Sequence, residues 1–190
     1  MRTQWLALTL VALGCGPTRD AQPVMPRARG WTTYVEPSGL FEIAVPPGAS
    51  LEREQELPAQ EGAYWYCSPG SGTGHLTILM RPEARDPIDA YLQGSPTGTT
   101  VRVERDEQIS WHGRSARRLR AREAHEASRS LARDPSTGLT YHDERGGELL
   151  VVMIAWRARD AWWRIGYAVE AGARQVEHDL SAMLDSFRPR

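Results

Sequence analysis

Apolar positions along this chain keep three rhythms, and each predicts a different element. In "GLFEIAVPPG" (39–48), Phe41, Ile43 and Val45 alternate with Leu40, Glu42 and Ala44, and the odd positions form the apolar face of a strand. "WTTYVEP" before it, and "AYWYC" and "HLTILMRP" after it, are also strand-like, bounded by Pro and Gly. "TVRVERDEQISWHGRSARRLRARE" alternates twice, and His112-Gly113 between the two runs predicts a hairpin turn. The second rhythm is continuous. "ELLVVMIAWR" is apolar on both of its faces, which predicts an interior strand covered on both sides. "ARDA" then turns the chain into "WWRIGYAVE", its antiparallel neighbour. The third rhythm is helical. Val176, Leu180, Met183, Leu184 and Phe187 share one face of a helix over 173–187. "DPIDAYLQG" predicts a shorter helix, with Asp86 as N-cap, Pro87 at the first position and Gly94 at the end. The fold class expected is α+β, an antiparallel β-sheet flanked by helices with the C-terminal amphipathic helix packed on it.

The first thirty residues follow none of these rhythms. Arg2 precedes the apolar run Trp5–Leu13, and small residues lead to Cys15. The run is far short of the ~20 residues a membrane-spanning helix needs. It matches the apolar region of a secretory signal. Ala12-Leu13-Gly14-Cys15 resembles the lipobox of bacterial lipoproteins, in which the cysteine is lipidated and becomes the first mature residue. The plainer alternative is a disposable secretory signal with a chance cysteine. The lipobox reading divides the chain into a signal peptide (1–14), a lipidated Cys15 with a flexible tether (15–30), and one domain (31–190). A polar excursion is expected at about 123–147. The tether would reach roughly 45 Å fully extended and roughly 20 Å as a coil. Gly16 after the cysteine, by the sorting rule known for enteric bacteria, favours the outer membrane and its periplasmic face.

Composition removes several function classes. Net charge is −1, so no overall field draws the chain to nucleic acid. All 23 basic residues are arginine, which reads as codon bias rather than site-by-site choice of a phosphate ligand. Cys67 lacks a partner once Cys15 is lipidated, and it reads as a small buried hydrophobe. The five histidines show no zinc-protease spacing, and His142, Asp143 and Glu144 read as a solvated turn. "SPGSGTG" runs into a strand rather than into Gly-Lys-Ser and a helix, so it reads as a hairpin loop. No serine elbow occurs. No catalytic residue, metal ligand or cofactor is therefore expected. Arg118, Arg120 and Arg122 share a strand face opposite Leu119 and Ala121, either as a solvated face or as an anion-binding stripe. Trp163 continues the core row Ile165, Tyr167 and Val169. Trp162 shares its face with Arg164 beside a turn, and it is either an exposed indole next to arginine, a composition common at interfaces, or a ring capped by the final helix. Trp162, Arg164, Arg118, Arg120 and Arg122 are the candidate partner-binding set.

"GLFEIAVPPGASL", "ISWHGRSARRLRA", "LLVVMIAWRARDAWWRIGYAVEA" and "DLSAMLDSFRP", in that order, resemble the successive motifs of PsbP-like domains. That group includes DcrB-like envelope proteins and LpqN-like lipoproteins. The likeness covers residues 31–190 apart from 123–147, and Ala49-Ser50 stands where the family carries tryptophan. It implies an α/β sandwich with an antiparallel sheet and no shared catalytic residues, in a group whose members mostly assist assembly or bind proteins. The function expected is non-enzymatic: a cell-envelope lipoprotein held to the membrane through Cys15, binding or assisting the assembly of another envelope protein. Two rivals remain open. One is a carrier of small apolar ligands with a pocket lined by some of Trp65, Trp111 and Trp156. The other is a hydrolase with its residues in the 123–147 excursion.

Overall fold

The computed structural model describes residues 29–54, 62–69, 73–82, 85–94, 99–125 and 147–190. Among these residues, two antiparallel sheets and two helices make up the architecture. The small sheet pairs β1 (Thr32–Val35) with β2 (Phe41–Val45) and β2 with β10 (Arg188–Pro189). The large sheet has seven strands: β3 (Leu51–Glu54), β4 (Ala63–Cys67), β5 (Gly74–Arg81), β6 (Thr99–Trp111), β7 (Arg114–His125), β8 (Gly147–Ala158) and β9 (Ala161–Glu170). Their spatial order is β3-β4-β5-β9-β8-β7-β6. Helix α1 spans Pro87–Gln93 and α2 spans Arg174–Ser186.

Both faces of the large sheet are covered. On one face Leu76, Ile78, Leu150, Val152, Ile154, Trp156, Trp163, Ile165, Tyr167 and Val169 meet Leu180, Met183 and Leu184 of α2 and Phe41, Ile43 and Val45 of β2. The helix lies so close to β5 that a Cβ on Gly74 would stand 3.0 Å from both Leu180 Cδ1 and Val176 Cγ1. On the other face Leu119, Ala121, Val151, Met153, Ala155 and Ala168 meet Ile88 and Tyr91 of α1. The continuous apolar run of β8 thus lies inside the sheet with cover on each side, as its pattern predicts.

Local chemistry explains most boundaries. Asp86 Oδ1 accepts a hydrogen bond from the Ile88 N–H and caps α1, whose first position is Pro87. His112 and Gly113 have φ of 51° and 73°, the left-handed pair that a two-residue hairpin turn needs. Buried Glu36 accepts from the N–H groups of Ser38 and Leu40 and closes the β1–β2 turn. Three features depart from the sequence reading. Strand β7 continues to His125 and β8 starts at Gly147, so residues 123–125 and 147 of the expected excursion belong to strands, and residues 126–146 lie outside the described set. Strand β3 carries no clear alternation, and β10 is too short to show any.

The ring of Phe187 joins these parts. Its centroid lies 5.1 Å from Phe41, 5.7 Å from Trp111 and 5.8 Å from Trp156, so it touches the small sheet, the hairpin tip and the large sheet together. Just beyond it, Arg188 Nη1 stands 3.4 Å from His112 Nε2. Burial, then the charges of Arg188 and Arg114, hold the His112 pKa below its ordinary value.

Phe187→Ala is expected to cost about 3–5 kcal/mol in urea unfolding, because three aromatic neighbours lose their common contact. The neutral His112 imidazole is favoured in the fold, so the unfolded chain binds the proton first as pH drops. Stability should therefore decline as pH falls below about 6.5. Thermal melts between pH 7 and 5 should show a flatter decline in His112→Asn, which suits the turn and does not titrate.

Candidate functional site

The hairpin of β6 and β7 presents charge on the α2 side of the sheet. Arg118, Arg120 and Arg122 stand opposite Ile154, Val152 and Leu150, extending the core face toward solvent. A bulge between Val103 and Arg105 leaves Glu104 as the extra residue of β6. Its carboxylate accepts from Arg120 Nε at 3.0 Å and from Arg122 Nε at 2.6 Å. These two bonds hold the Glu104 carboxyl below its usual range. Arg118 Nε donates to Glu107 at 2.9 Å, Arg122 Nη1 to Glu148 at 2.9 Å, and Arg120 Nη2 lies 3.5 Å from Glu177 of α2. The three arginines therefore share one face, as their spacing predicts, and each of them meets carboxylates of its own chain. The face is a two-signed lattice rather than a bare cationic stripe.

The opposite side of the sheet holds Trp162 and Arg164. Arg164 stands between Leu79 of β5 and Ala155 of β8 and is only 1% exposed. Trp162 is half-buried and packs with the cluster under α1. Of the two readings of Trp162, the ring is partly covered rather than fully exposed, and the cluster it packs with includes Ile88 and Tyr91 of α1 rather than residues of the final helix. β9 is an interior strand, so even its polar position is enclosed. The same face buries His75, Thr77, Arg81 and Glu123. Burying such ions is costly without partners, and none of the four ionisable groups Arg164, His75, Arg81 and Glu123 lacks an interaction. Sequence reasoning missed this polar seam. The signal was available in Arg164, which interrupts the apolar run of β9, and in His75 and Thr77, which alternate with Leu76 and Ile78 in β5.

The row that contains Arg164 continues through Ala155 to Arg117 on β7. Arg117 Nε and Nη2 form a fork on Asp106, with bonds of 2.8 and 2.7 Å, while Nη1 reaches Asp89 at 2.7 Å and Asp86 at 3.3 Å. The fork lowers the Asp106 pKa. One guanidinium thus ties the first turn of α1 to the hairpin.

Among the described residues, reactive chemistry is sparse. Burial, then the charge of Glu52, pushes the Cys67 thiol up to about 11, so it packs as an apolar group. No group of three or more His, Cys, Asp or Glu side chains suited to a metal occurs among the described residues. His142, Asp143 and Glu144, Cys15, and residues 70–72 of the glycine-rich loop lie outside that set. Trp65, Trp111 and Trp156, the carrier rival's pocket lining, are buried in the main core. Trp65 lies edge-on to Phe41 at 5.0 Å, and Trp111 and Trp156 are 4.9 Å apart.

No family model matches the chain, and no curated protein matches it in sequence. Solved structures do match in shape. The solution structure of cyanobacterial PsbP (CyanoP) from Synechocystis sp. PCC 6803 superposes with a TM-score of 0.56 at 10% identity. The match covers 92% of this chain and 100% of that one. A Pseudomonas aeruginosa protein of unknown function, described as a putative regulator, gives 0.45 at 13% identity over 84% of this chain and 97% of its own. The Saccharomyces cerevisiae Ran-binding protein Mog1p gives 0.42 at 11% identity over 84% and 95%. The structural neighbours thus include the PsbP-like fold, which agrees with the antiparallel sheets and two helices described above.

Replacing Arg117 by methionine keeps the aliphatic contact and removes the ionic fork. Urea unfolding is expected to show a loss of about 2 kcal/mol, with Arg117→Lys intermediate because an ammonium cannot span three carboxylates in the same geometry.

Proposed function

We propose that this chain is a lipid-anchored cell-envelope protein of non-enzymatic type, whose PsbP-like domain binds or assists the assembly of another envelope component. One observation carries the reading. A single basic residue, a nine-residue apolar run and Ala12-Leu13-Gly14-Cys15 stand in the order that lipidation requires. A proline-containing segment separates that cysteine from the first described residue, Arg29. A non-enzymatic role is supported by the low reactivity of Cys67 and by a core whose aromatic rings pack on one another.

The mechanism is confinement. A tether of this length holds the domain within a few tens of ångströms of a membrane. Its effective concentration toward membrane-bound partners rises accordingly, without any new contact being needed. The two-signed lattice on the β6–β7 hairpin suits an envelope protein of mixed surface charge. Such a lattice favours correct orientation over raw affinity.

Cys15→Ala should move the protein from the membrane to the soluble fraction. Mass analysis of the purified natural product should find residues 1–14 removed and acyl chains on Cys15; an intact Met1 without an adduct would defeat the proposal. Crosslinking in cells followed by mass spectrometry should recover one recurrent envelope neighbour.

A further inference from the structure

Among the described residues, β6 ends the seven-stranded sheet. Its central residues read Arg102-Val103-Glu104-Arg105-Asp106-Glu107. Arg102, Arg105 and Glu107 stand opposite Arg122, Arg120 and Arg118, so all three lie on the α2 face, and Glu104 joins them through its bonds to Arg120 and Arg122. Val103, Asp106 and Gln108 stand opposite Ala121, Leu119 and Arg117 on the other face. The bulge at Glu104 reverses the alternation, which is why even-numbered Arg102 and odd-numbered Glu107 share a side.

We propose that β6 pairs antiparallel with β6 of a second copy about a two-fold axis, with Val103 of one copy opposite Asp106 of the other. In that register Arg102 faces Glu107 and Arg105 faces Glu104, each twice by symmetry, and no like charges meet. Sliding by one residue in either direction sets Glu104 against Glu104 or Arg105 against Arg105, which is unfavourable. Reversed alternation is essential to this match. In a regular strand the same odd-plus-even pairing would put partners on opposite faces under a two-fold axis normal to the sheet.

The charges are disposed for such a contact. Arg118 holds Glu107 from behind, and Arg120 and Arg122 hold Glu104, so both carboxylates are positioned before association. Arg102 and Arg105 are 71% and 61% exposed, and their own-chain carboxylates lie at 3.9 and 3.7 Å. Charges on an edge strand ordinarily repel unwanted strands. Here they exclude other registers and other strands while admitting one.

Register-specific disulfide capture tests the pairing in the full-length chain. Directly opposed residues of antiparallel strands have Cα atoms ~4.5–5.5 Å apart, within disulfide reach. Residues 103 and 106 of one chain are roughly 10 Å apart and out of reach of each other. Val103→Cys/Asp106→Cys should give a covalent dimer on mild oxidation, read on a non-reducing gel. Neither single variant, nor the wild type with Cys15 and Cys67, should do so. Adding Arg102→Glu and Arg105→Glu to the double-cysteine chain should cut the dimer yield about tenfold while circular dichroism stays unchanged. Three results would overturn the pairing: no dimer above the wild-type level, equal capture by Val103→Cys alone, or an adduct with a different protein in place of the dimer.

Discussion

One aromatic contact holds this molecule together. Phe187 follows the last turn of α2 and touches Phe41, Trp111 and Trp156 at once. Without it, the three-stranded sheet would rest on the seven-stranded one through aliphatic contacts and the edge-on pair of Phe41 and Trp65. The neighbouring backbone reinforces the junction, since Arg188 and Pro189 add a short strand to β2. Rings of this size remove about 150–250 Å² each from water, so the cluster contributes a large share of the apolar burial between the layers. Seven tryptophans against two phenylalanines in the sequence then make structural sense, as indoles fill much of the space between the layers.

Charge follows the same layered logic. On the α2 face, carboxylates of β6, β8 and α2 meet the arginines of β7 in shared rather than one-to-one pairs. Exposed pairs of this kind add little stability individually. Their value lies in geometry. Bidentate and bridging guanidinium contacts fix side-chain directions along a strand that would otherwise be loosely specified. On the α1 face, by contrast, Arg117 is mostly enclosed, and its fork on Asp106 acts as a structural clamp.

Much of the fold was legible because its signals are periodic. The α2 stripe, the apolar face of β2, the double-sided β8 and the His112-Gly113 turn each require a repeated pattern or a particular backbone angle, and sequence shows both. Asp86 and Pro87 mark α1 for the same reason. Sheet order was not legible, and the errors came from there. Trp162 and Arg164 look like surface residues because they flank a turn and break an apolar run. Only the placement of β9 between β5 and β8 encloses them. The arginine row of β7 showed its face but not its partners, because Glu104 reaches it through a bulge and Glu177 from a helix some sixty residues away in the chain. Strand β10 is two residues long, one of them proline, and carries no periodicity at all.

The double-sided burial of β8 and β9 has a cost in time rather than in energy. A polypeptide interrupted between β9 and α2 leaves Leu150, Val152, Ile154 and Trp156 without the part of their cover that α2 and Phe187 supply, in a segment with high β-propensity and no charge from Leu149 to Trp156. Such segments stack readily into cross-β aggregates. During synthesis, therefore, the hairpin waits for a lid made well after it. A chaperone grip on nascent β8, or a protease cut ahead of Phe187, would decide between a folded domain and an insoluble one.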